Sequence, residues 1–127
     1  MVLAFPCNQF GGQEPGDKQE ILSFVAKYGV TFPLFEKIDV NGPNTHPLYK
    51  YLKSQKSELL GDDIKWNFGK FLVGKNGEVI SRYAPTSGPE SISGDIEAAI
   101  AAAPSEFKGV VTPTNPVTAA AKALKFW

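Results

Sequence analysis

The chain has 127 residues, of which 43% are hydrophobic, a length and composition typical of one soluble globular domain. Thirteen basic residues balance thirteen acidic ones, so charge gives no reason to expect nucleic acid or an anionic membrane as a partner. The apolar runs are much shorter than a bilayer span, which excludes stable membrane insertion. The single cysteine, Cys7, and single histidine, His46, do not suffice for an internal disulfide or a zinc site, and we predict no cofactor.

The first part of the chain predicts a strand followed by a helix. Residues 2–5 are continuously apolar and end at Pro6, as in a strand buried on both faces of a sheet. Asp17 is suited to cap a helix, with Glu20 three residues later, and Gly29 ends it. One buried helix face is predicted from the i, i+3, i+4, i+7 spacing of Ile21, Phe24, Val25 and Tyr28.

The next segment predicts a second strand and a second helix. Residues 37–40 form the strand, and residues 41–44, with the sequence NGPN, form a turn. The helix begins near His46, because Pro47 fits the first helical position. Lys50, Lys53 and Lys56 are expected to form a solvated face of this helix.

The following segment predicts a hairpin and a last helix. Residues 71–73 and 79–83 are the two strands, and Asn76-Gly77 predicts a tight two-residue turn with positive φ angles. The helix covers about residues 90–102, and its apolar side consists of Ile92, Ile96, Ala99 and Ile100.

These elements predict an α/β fold with a mixed central sheet flanked by helices. We expect one domain over residues 1–103. Residues 104–127 are rich in Pro, Thr and Ala, and we expect a disordered tail there.

Two clusters of side chains are suited to chemistry. Residues 8–15 form an amide-rich loop at the end of the first predicted strand, where open parallel sheets place their sites. It is either an ordinary polar loop or a set of neutral groups that orient a reacting atom. Trp66 and Asn67 precede the hairpin. Trp66 is expected in the core by its residue type, but its indole N–H also suits the stabilisation of an anion.

The other reactive residue types have simpler interpretations. Cys7 follows an apolar strand and has no basic neighbour in sequence, so we interpret it as a small buried apolar residue. His46 lies directly before Pro47, which favours a capping or surface role over that of a base.

Three segments resemble blocks of the glutathione peroxidase family, in the same order and at similar spacing. They are VLAFPCNQFGGQEPG, IDVNGPNTHPLYKYLK and IKWNFGKFLVGKNGEVISRY. The resemblance covers residue 2 to about residue 102. It implies a thioredoxin-like fold and the reduction of hydrogen peroxide and of organic or lipid hydroperoxides by a thiol reductant, in response to oxidative stress.

The resemblance also implies a site. In the family, a catalytic cysteine or selenocysteine lies in a tetrad with a Gln, a Trp and an Asn, which match Gln13, Trp66 and Asn67. Neutral donors suit this chemistry because they stabilise an anion without adding a fixed charge. Cys7 matches a cysteine of the family's strand block, not the catalytic one.

The sequence departs from the family pattern in three respects. The segment that carries the catalytic residue is expected upstream of Met1, so the resemblance implies an N-terminally truncated fold. The helix from Asp17 has no resolving cysteine, and the link before Trp66 lacks the long insertion of tetrameric members. The last two features resemble the monomeric phospholipid-hydroperoxide type.

Three functions remain open from the sequence. The first is a peroxidase that uses glutathione or thioredoxin, with Lys70 and Arg82 as candidate ligands for glutathione carboxylates. The second is a nucleophile-free, non-enzymatic paralogue that binds redox partners. The third makes Cys7 a peroxide sensor or an atypical nucleophile. A cytoplasmic location is the default expectation, since any targeting leader would lie upstream of this chain.

Overall fold

The structure is a computed structural model and describes residues 1–58 and 60–103. The predicted tail at residues 104–127 lies outside the described residues. The elements in chain order are α1 (Lys18–Ala26), α2 (Pro47–Gln55), β1 (Lys70–Val73), β2 (Val79–Tyr83), a 3-10 helix (Pro89–Ile92) and α3 (Ser93–Ala101). Within the described residues, the one sheet is the antiparallel pair β1–β2.

The two predicted N-terminal strands are absent as regular elements, and this prediction is wrong. Backbone pairing consists of single parallel bridges, from Ala4 to Leu34 and from Asp39 to Thr45, and a hydrogen bond of 3.0 Å from the Ile38 N–H to the Pro6 carbonyl. Val2 and Leu3 are 57% and 52% exposed, so residues 2–5 are not buried on both faces. An apolar run favours a strand, but a strand forms only where a neighbouring backbone continues the ladder of hydrogen bonds.

Helix α1 begins as the sequence predicts. Asp17 caps it by accepting a hydrogen bond from the Glu20 N–H at 2.9 Å, and the Glu20 carboxylate accepts from the Asp17 N–H at 2.7 Å. This reciprocal pair is a capping box. The helix ends at Ala26, and Gly29 follows with φ +64°. Ile21 is the one side chain of α1 that is buried.

Helix α2 also begins where the sequence predicts, but one of its lysines differs from expectation. His46 is the N-cap and Pro47 the first residue. Lys53 is only 9% exposed, so the prediction of a solvated face is wrong for this residue. Its ammonium group donates to the Val40 carbonyl at 2.6 Å, which compensates the burial of the charge.

The hairpin is present, but its turn differs from the predicted type. Gly77 has φ +87°, while Asn76 has no positive φ, so the turn is not the two-residue type. The Gly77 N–H donates to the Gly74 carbonyl at 3.1 Å, and the Gly74 N–H donates to the Glu78 carbonyl at 2.8 Å. This is the three-residue loop in which glycine occupies the left-handed position.

The core lies between the N-terminal segment, α2 and the hairpin. Phe5 stacks on Phe35 with ring centroids 4.6 Å apart, and Tyr49 contacts Phe5 and Phe71 edge-on at 5.9 and 6.1 Å. The buried members of this cluster are Cys7, Phe10, Phe35, Ile38, Val40 and Ile64. Helix α3 adds no buried side chain, and Ile100 on its predicted apolar side is 66% exposed.

Candidate active site

The amide-rich loop is folded tightly onto itself. The Asn8 side-chain oxygen accepts from the Glu14 N–H at 2.9 Å and closes the loop. Gly11 and Gly12 both have positive φ, +67° and +60°, a conformation that residues with a Cβ rarely adopt. The two glycines turn the backbone sharply, and Gln13 follows them with an exposed side chain.

The structure brings Gln13 and Asn67 together. The Asn67 side-chain N–H donates to the Gln13 Oε1 at 2.8 Å, and to the Phe10 carbonyl at 3.5 Å. Because the Gln13 oxygen is occupied, its amino group is the free end of the amide. That group has no hydrogen-bond partner among the described residues. Gln13 therefore presents a neutral donor whose orientation is set by Asn67.

Trp66 lies beside this pair. Its ring centroid is 5.9 Å from that of Phe10, with the rings tilted by 57°. The indole lies so close to Gly11 that a Cβ there would be 3.2 Å from Trp66 Cη2. Trp66 is 48% exposed, so the expectation of a core residue is wrong. Its indole N–H has no partner in the part of the chain that the structure describes, which leaves a second neutral donor at the site.

Phe68 continues the same segment in an unusual conformation. It has φ +68°, the one positive φ among the described non-glycine residues, and its side chain is 80% exposed. The left-handed backbone costs about 1–2 kcal/mol for a residue with a Cβ. It turns the chain between Asn67 and β1.

Cys7 is part of the core, as predicted. It is 9% exposed, packs with the aromatic cluster and donates weakly to the Gln9 Oε1 at 3.5 Å. Burial raises the pKa of Tyr49 to about 12, and the electrostatic interaction with the Cys7 side chain adds to this rise. These surroundings favour neutral side chains and fit the interpretation of Cys7 as a small apolar residue.

Arg82 is not available for a substrate carboxylate. Its side chain is 5% exposed and lies 3.5 Å from a Glu58 carboxylate oxygen. The guanidinium group also donates to three backbone carbonyls and lies 5.2 Å from the centre of the Phe71 ring. The carbonyls are those of Lys56, Asp62 and Asp63. The prediction of a glutathione ligand is therefore wrong for Arg82, which joins β2 to the loop before Trp66.

Lys70 and His46 have local partners. The Lys70 ammonium donates to the Phe68 carbonyl at 2.6 Å at the surface. The His46 Nδ1 accepts from the Leu48 N–H at 3.1 Å, which confirms the predicted capping role. Burial lowers the pKa of His46.

The sequence did not reveal the role of Asn41. The prediction made it a turn residue, but its side chain binds the backbone of Ile64, 23 residues later. A turn signal is local, so it gives no indication of so distant a partner.

Two further observations apply to the described residues alone. No helix there combines the length and apolar content that crossing a bilayer requires. No group of three or more His, Cys, Asp or Glu in the described ranges is placed to hold a metal ion.

Comparisons with known proteins give the same family as the sequence resemblance. A family model described as glutathione peroxidase matches residues 1–53. A probable phospholipid hydroperoxide glutathione peroxidase of Mesembryanthemum crystallinum is 59% identical over 97 residues, which are 76% of this chain and 57% of that protein. Glutathione peroxidase 2 of Caenorhabditis elegans is 60% identical over 102 residues, 80% of this chain and 63% of that protein.

The matched part of this chain belongs to the glutathione peroxidase family. A crystal structure of Trgpx in the apo form superposes with a TM-score of 0.64 at 50% identity, covering 79% of this chain and 57% of that chain. The α/β fold is therefore the thioredoxin-like fold of the glutathione peroxidases. The chain spans about 57% of the length of the Mesembryanthemum glutathione peroxidase.

Proposed function

We propose that this chain supplies the neutral hydrogen-bond donors of a peroxidase site that reduces hydroperoxides with a thiol reductant. The observation that carries the proposal is the hydrogen bond of 2.8 Å from Asn67 to Gln13. The half-exposed ring of Trp66 packs next to Gly11, close to the same loop. The closeness of Gln13 to Asn67, and of both Gln13 and Trp66 to Gly11, supports the site that the resemblance assigns to these residues. The names of the relatives, which include phospholipid hydroperoxide glutathione peroxidases, support lipid hydroperoxides as substrates. Hydrogen peroxide is proposed from the family resemblance.

The reaction needs an attacking anion. A thiolate or selenolate attacks the outer oxygen of the hydroperoxide, the O–O bond breaks, and the departing alkoxide takes a proton and leaves as an alcohol. The attacking atom becomes a sulfenic or selenenic acid. Two reductant thiols then restore it and release water and a disulfide.

The roles of the three side chains follow from this charge movement. The Trp66 N–H and the Gln13 amino group donate to the attacking anion or to the departing oxygen, where negative charge develops. Asn67 holds the Gln13 amide in the orientation that presents its amino group. Because none of the three is charged, the hydroperoxide meets no competing fixed charge.

Cys7 is not proposed as the attacking residue. Its thiol is buried in the aromatic cluster, and within the described residues it donates a hydrogen bond to Gln9. A nucleophilic thiol requires exposure and a neighbour that favours the thiolate. The attacking atom is proposed to be the sulfur or selenium of a cysteine or selenocysteine outside these 127 residues.

The reductant is proposed to be glutathione or thioredoxin. With Arg82 engaged in the fold, the candidate cation for a glutathione carboxylate is Lys70, whose ammonium group lies at the surface next to the site. Single surface charges bind weakly, so the assay must include both reductants. The working enzyme is proposed to be a monomer, because the link before Trp66 lacks the insertion of tetrameric members.

The test is a coupled peroxidase assay on the native protein. Hydrogen peroxide and a phosphatidylcholine hydroperoxide are supplied with glutathione or with thioredoxin, each with its reductase. Replacing Gln13 by alanine is expected to lower kcat/KM by roughly 10²- to 10³-fold, the usual cost of one lost donor to a developing anion. The matched control is Gln55→Ala, which removes an exposed amide of α2 and should leave kcat/KM unchanged.

Two further results decide between the functions. Cys7→Ser is expected to retain activity, and loss of activity with the fold intact would transfer the attacking role to Cys7. Intact mass is measured on the same native protein, with inspection for selenium isotopes. A mass of 13.8 kDa, equal to that of this chain alone, together with no turnover would overturn the proposal in favour of a non-enzymatic protein.

A further inference from the structure

Gln9 connects the amide-rich loop to a distant segment of the chain. Its Oε1 accepts from the Val40 N–H at 2.8 Å and from the Asn41 N–H at 3.1 Å. Its Nε2 donates to the Asn41 carbonyl at 2.8 Å. One side chain thereby pairs with both polar groups of the Asn41 backbone. The same loop carries Gln13 four residues later.

Asn41 extends this connection to the segment that carries Trp66 and Asn67. Its Nδ2 donates to the Ile64 carbonyl at 2.8 Å, and its Oδ1 accepts from the Ile64 N–H at 2.9 Å. The amide thus pairs with Ile64 as a neighbouring strand would. Ile64 is 7% exposed and lies two residues before Trp66.

Lys53 fixes the orientation of the Asn41 amide. Its ammonium group lies 3.2 Å from the Asn41 Oδ1 and 3.4 Å from an Asp63 carboxylate oxygen. Two donors, Lys53 and the Ile64 N–H, therefore face the Asn41 oxygen. The amide cannot rotate without placing its amino group against both of them.

We propose that Gln9 and Asn41 are positioning residues for the candidate site, because together they fix the segment of Trp66 and Asn67 against the loop of Gln13. The contact between Asn67 and Gln13 is a single hydrogen bond between exposed side chains, which contributes little by itself. The Gln9 and Asn41 amides add five hydrogen bonds of 2.8–3.1 Å along the path that joins the two segments. The inference rests on the proposed function for the importance of the site, but its test measures geometry and needs no turnover.

The test uses the full chain with Trp127→Phe, so that Trp66 is the one remaining tryptophan. Nitrogen-15 NMR follows the side-chain amides of Gln13 and Asn67 and the indole N–H of Trp66. In Asn41→Ala and Gln9→Met we expect all three signals to shift. The Asn67 amide protons should also exchange roughly tenfold faster, as for the loss of an ordinary hydrogen bond.

A second variant and a control separate positioning from general stability. Asn41→Asp keeps the oxygen that faces Lys53 but replaces the amino group that donates to the Ile64 carbonyl with a second oxygen. This variant is used if Asn41→Ala does not fold. The control is Tyr51→Phe, which removes a hydrogen bond of 3.0 Å from α2 to the Gly77 carbonyl. It should lower stability without moving the signals of Trp66 and Asn67.

The outcomes are distinct. Site signals that move in the Gln9 and Asn41 variants and stay in the control support the inference, even if the native protein reduces no hydroperoxide. Site signals that stay in place while the unfolding midpoint falls would overturn it, because the network would then be merely structural. An active native enzyme combined with unmoved signals would leave the proposed function intact and reject only the positioning role.

Discussion

Gly11 is the residue on which the packing of the candidate site most directly depends. It lies between the Trp66 indole and the Gln13 side chain, and a Cβ there would be 3.2 Å from Trp66 Cη2 and 3.6 Å from Gln13 Cγ. Its φ of +67° also disfavours any residue with a side chain. Gly12 shares the positive φ, but a Cβ there would meet nothing within 4 Å. The two adjacent glycines therefore separate the effect of backbone strain from that of contact with Trp66.

Both Gly11→Ala and Gly12→Ala are expected to lower the free energy of unfolding by about 1–2 kcal/mol, the cost of a left-handed conformation for alanine. Only Gly11→Ala should also displace the Trp66 ring. Urea unfolding measures the first effect, and Trp66 fluorescence in the Trp127→Phe background measures the second. Equal fluorescence changes in the two variants would contradict the close packing of Trp66 on Gly11.

At the scale of elements, the sequence predicted what local signals determine. The capping box of Asp17 and Glu20 and the pair His46-Pro47 place both helix starts correctly, because caps act within one turn. The hairpin was located by Gly77, although its turn type was wrong. The predicted strand at residues 37–40 failed because strand pairing depends on a distant backbone.

The candidate site, like the strands, depends on contacts between distant residues that local signals do not predict. Gln13, Trp66 and Asn67 were assigned by resemblance to a family, and no periodicity or spacing brought them together. The burial of Lys53 was missed because its partners, Val40 and Asp63, lie outside its own helix. Tertiary hydrogen bonds of this kind leave no local pattern in the sequence.

The N-cap of α2 makes a pH-dependent contribution to stability. Burial lowers the folded-state pKa of His46 below 6.5, so below that pH the unfolded chain binds more protons than the folded one. The contribution of neutral His46 to the free energy of unfolding is complete above pH 6.5 and decreases as the pH falls. Protonation also removes the lone pair on Nδ1 that accepts from the Leu48 N–H.

We therefore expect the urea midpoint of the wild-type chain to fall between pH 7 and pH 5. His46→Asn supplies a capping oxygen that does not titrate, so its midpoint should fall less over the same range. Circular dichroism at a series of pH values measures both. Parallel curves for the two proteins would show that His46 does not cause the change.

At the scale of the whole molecule, the described part of the chain leaves much apolar surface exposed. Phe24 and Tyr28 of the α1 region are 57% and 73% exposed, with their ring centroids 5.3 Å apart. Val2 and Leu3 are also more than half exposed. The buried face predicted for α1 is therefore wrong for Phe24 and Tyr28, and Ile21 is the buried side chain of the helix. Uncovered apolar surface of this kind favours association.

The isolated 127-residue chain is therefore expected to be poorly stable and to self-associate as its concentration rises. Analytical ultracentrifugation should show a mean mass above that of the monomer, and Phe24→Gln with Tyr28→Gln should reduce it. Ile100→Gln, at an exposed position of α3, is the matched control and should change the association less. A cooperative melt of a monomer at all concentrations would contradict the expectation.

The separation of Gln13 from its partner also has a consequence for the order of events during synthesis. Asn67 follows Gln13 by 54 residues. At a ribosomal rate of roughly 5–20 residues per second, Gln13 is complete about 3–11 seconds before Asn67 exists. Throughout that interval the glycine-rich turn has no indole to pack against and no amide to orient Gln13. The hydrogen bond between Asn67 and Gln13 can therefore form only after residue 67 has been synthesised.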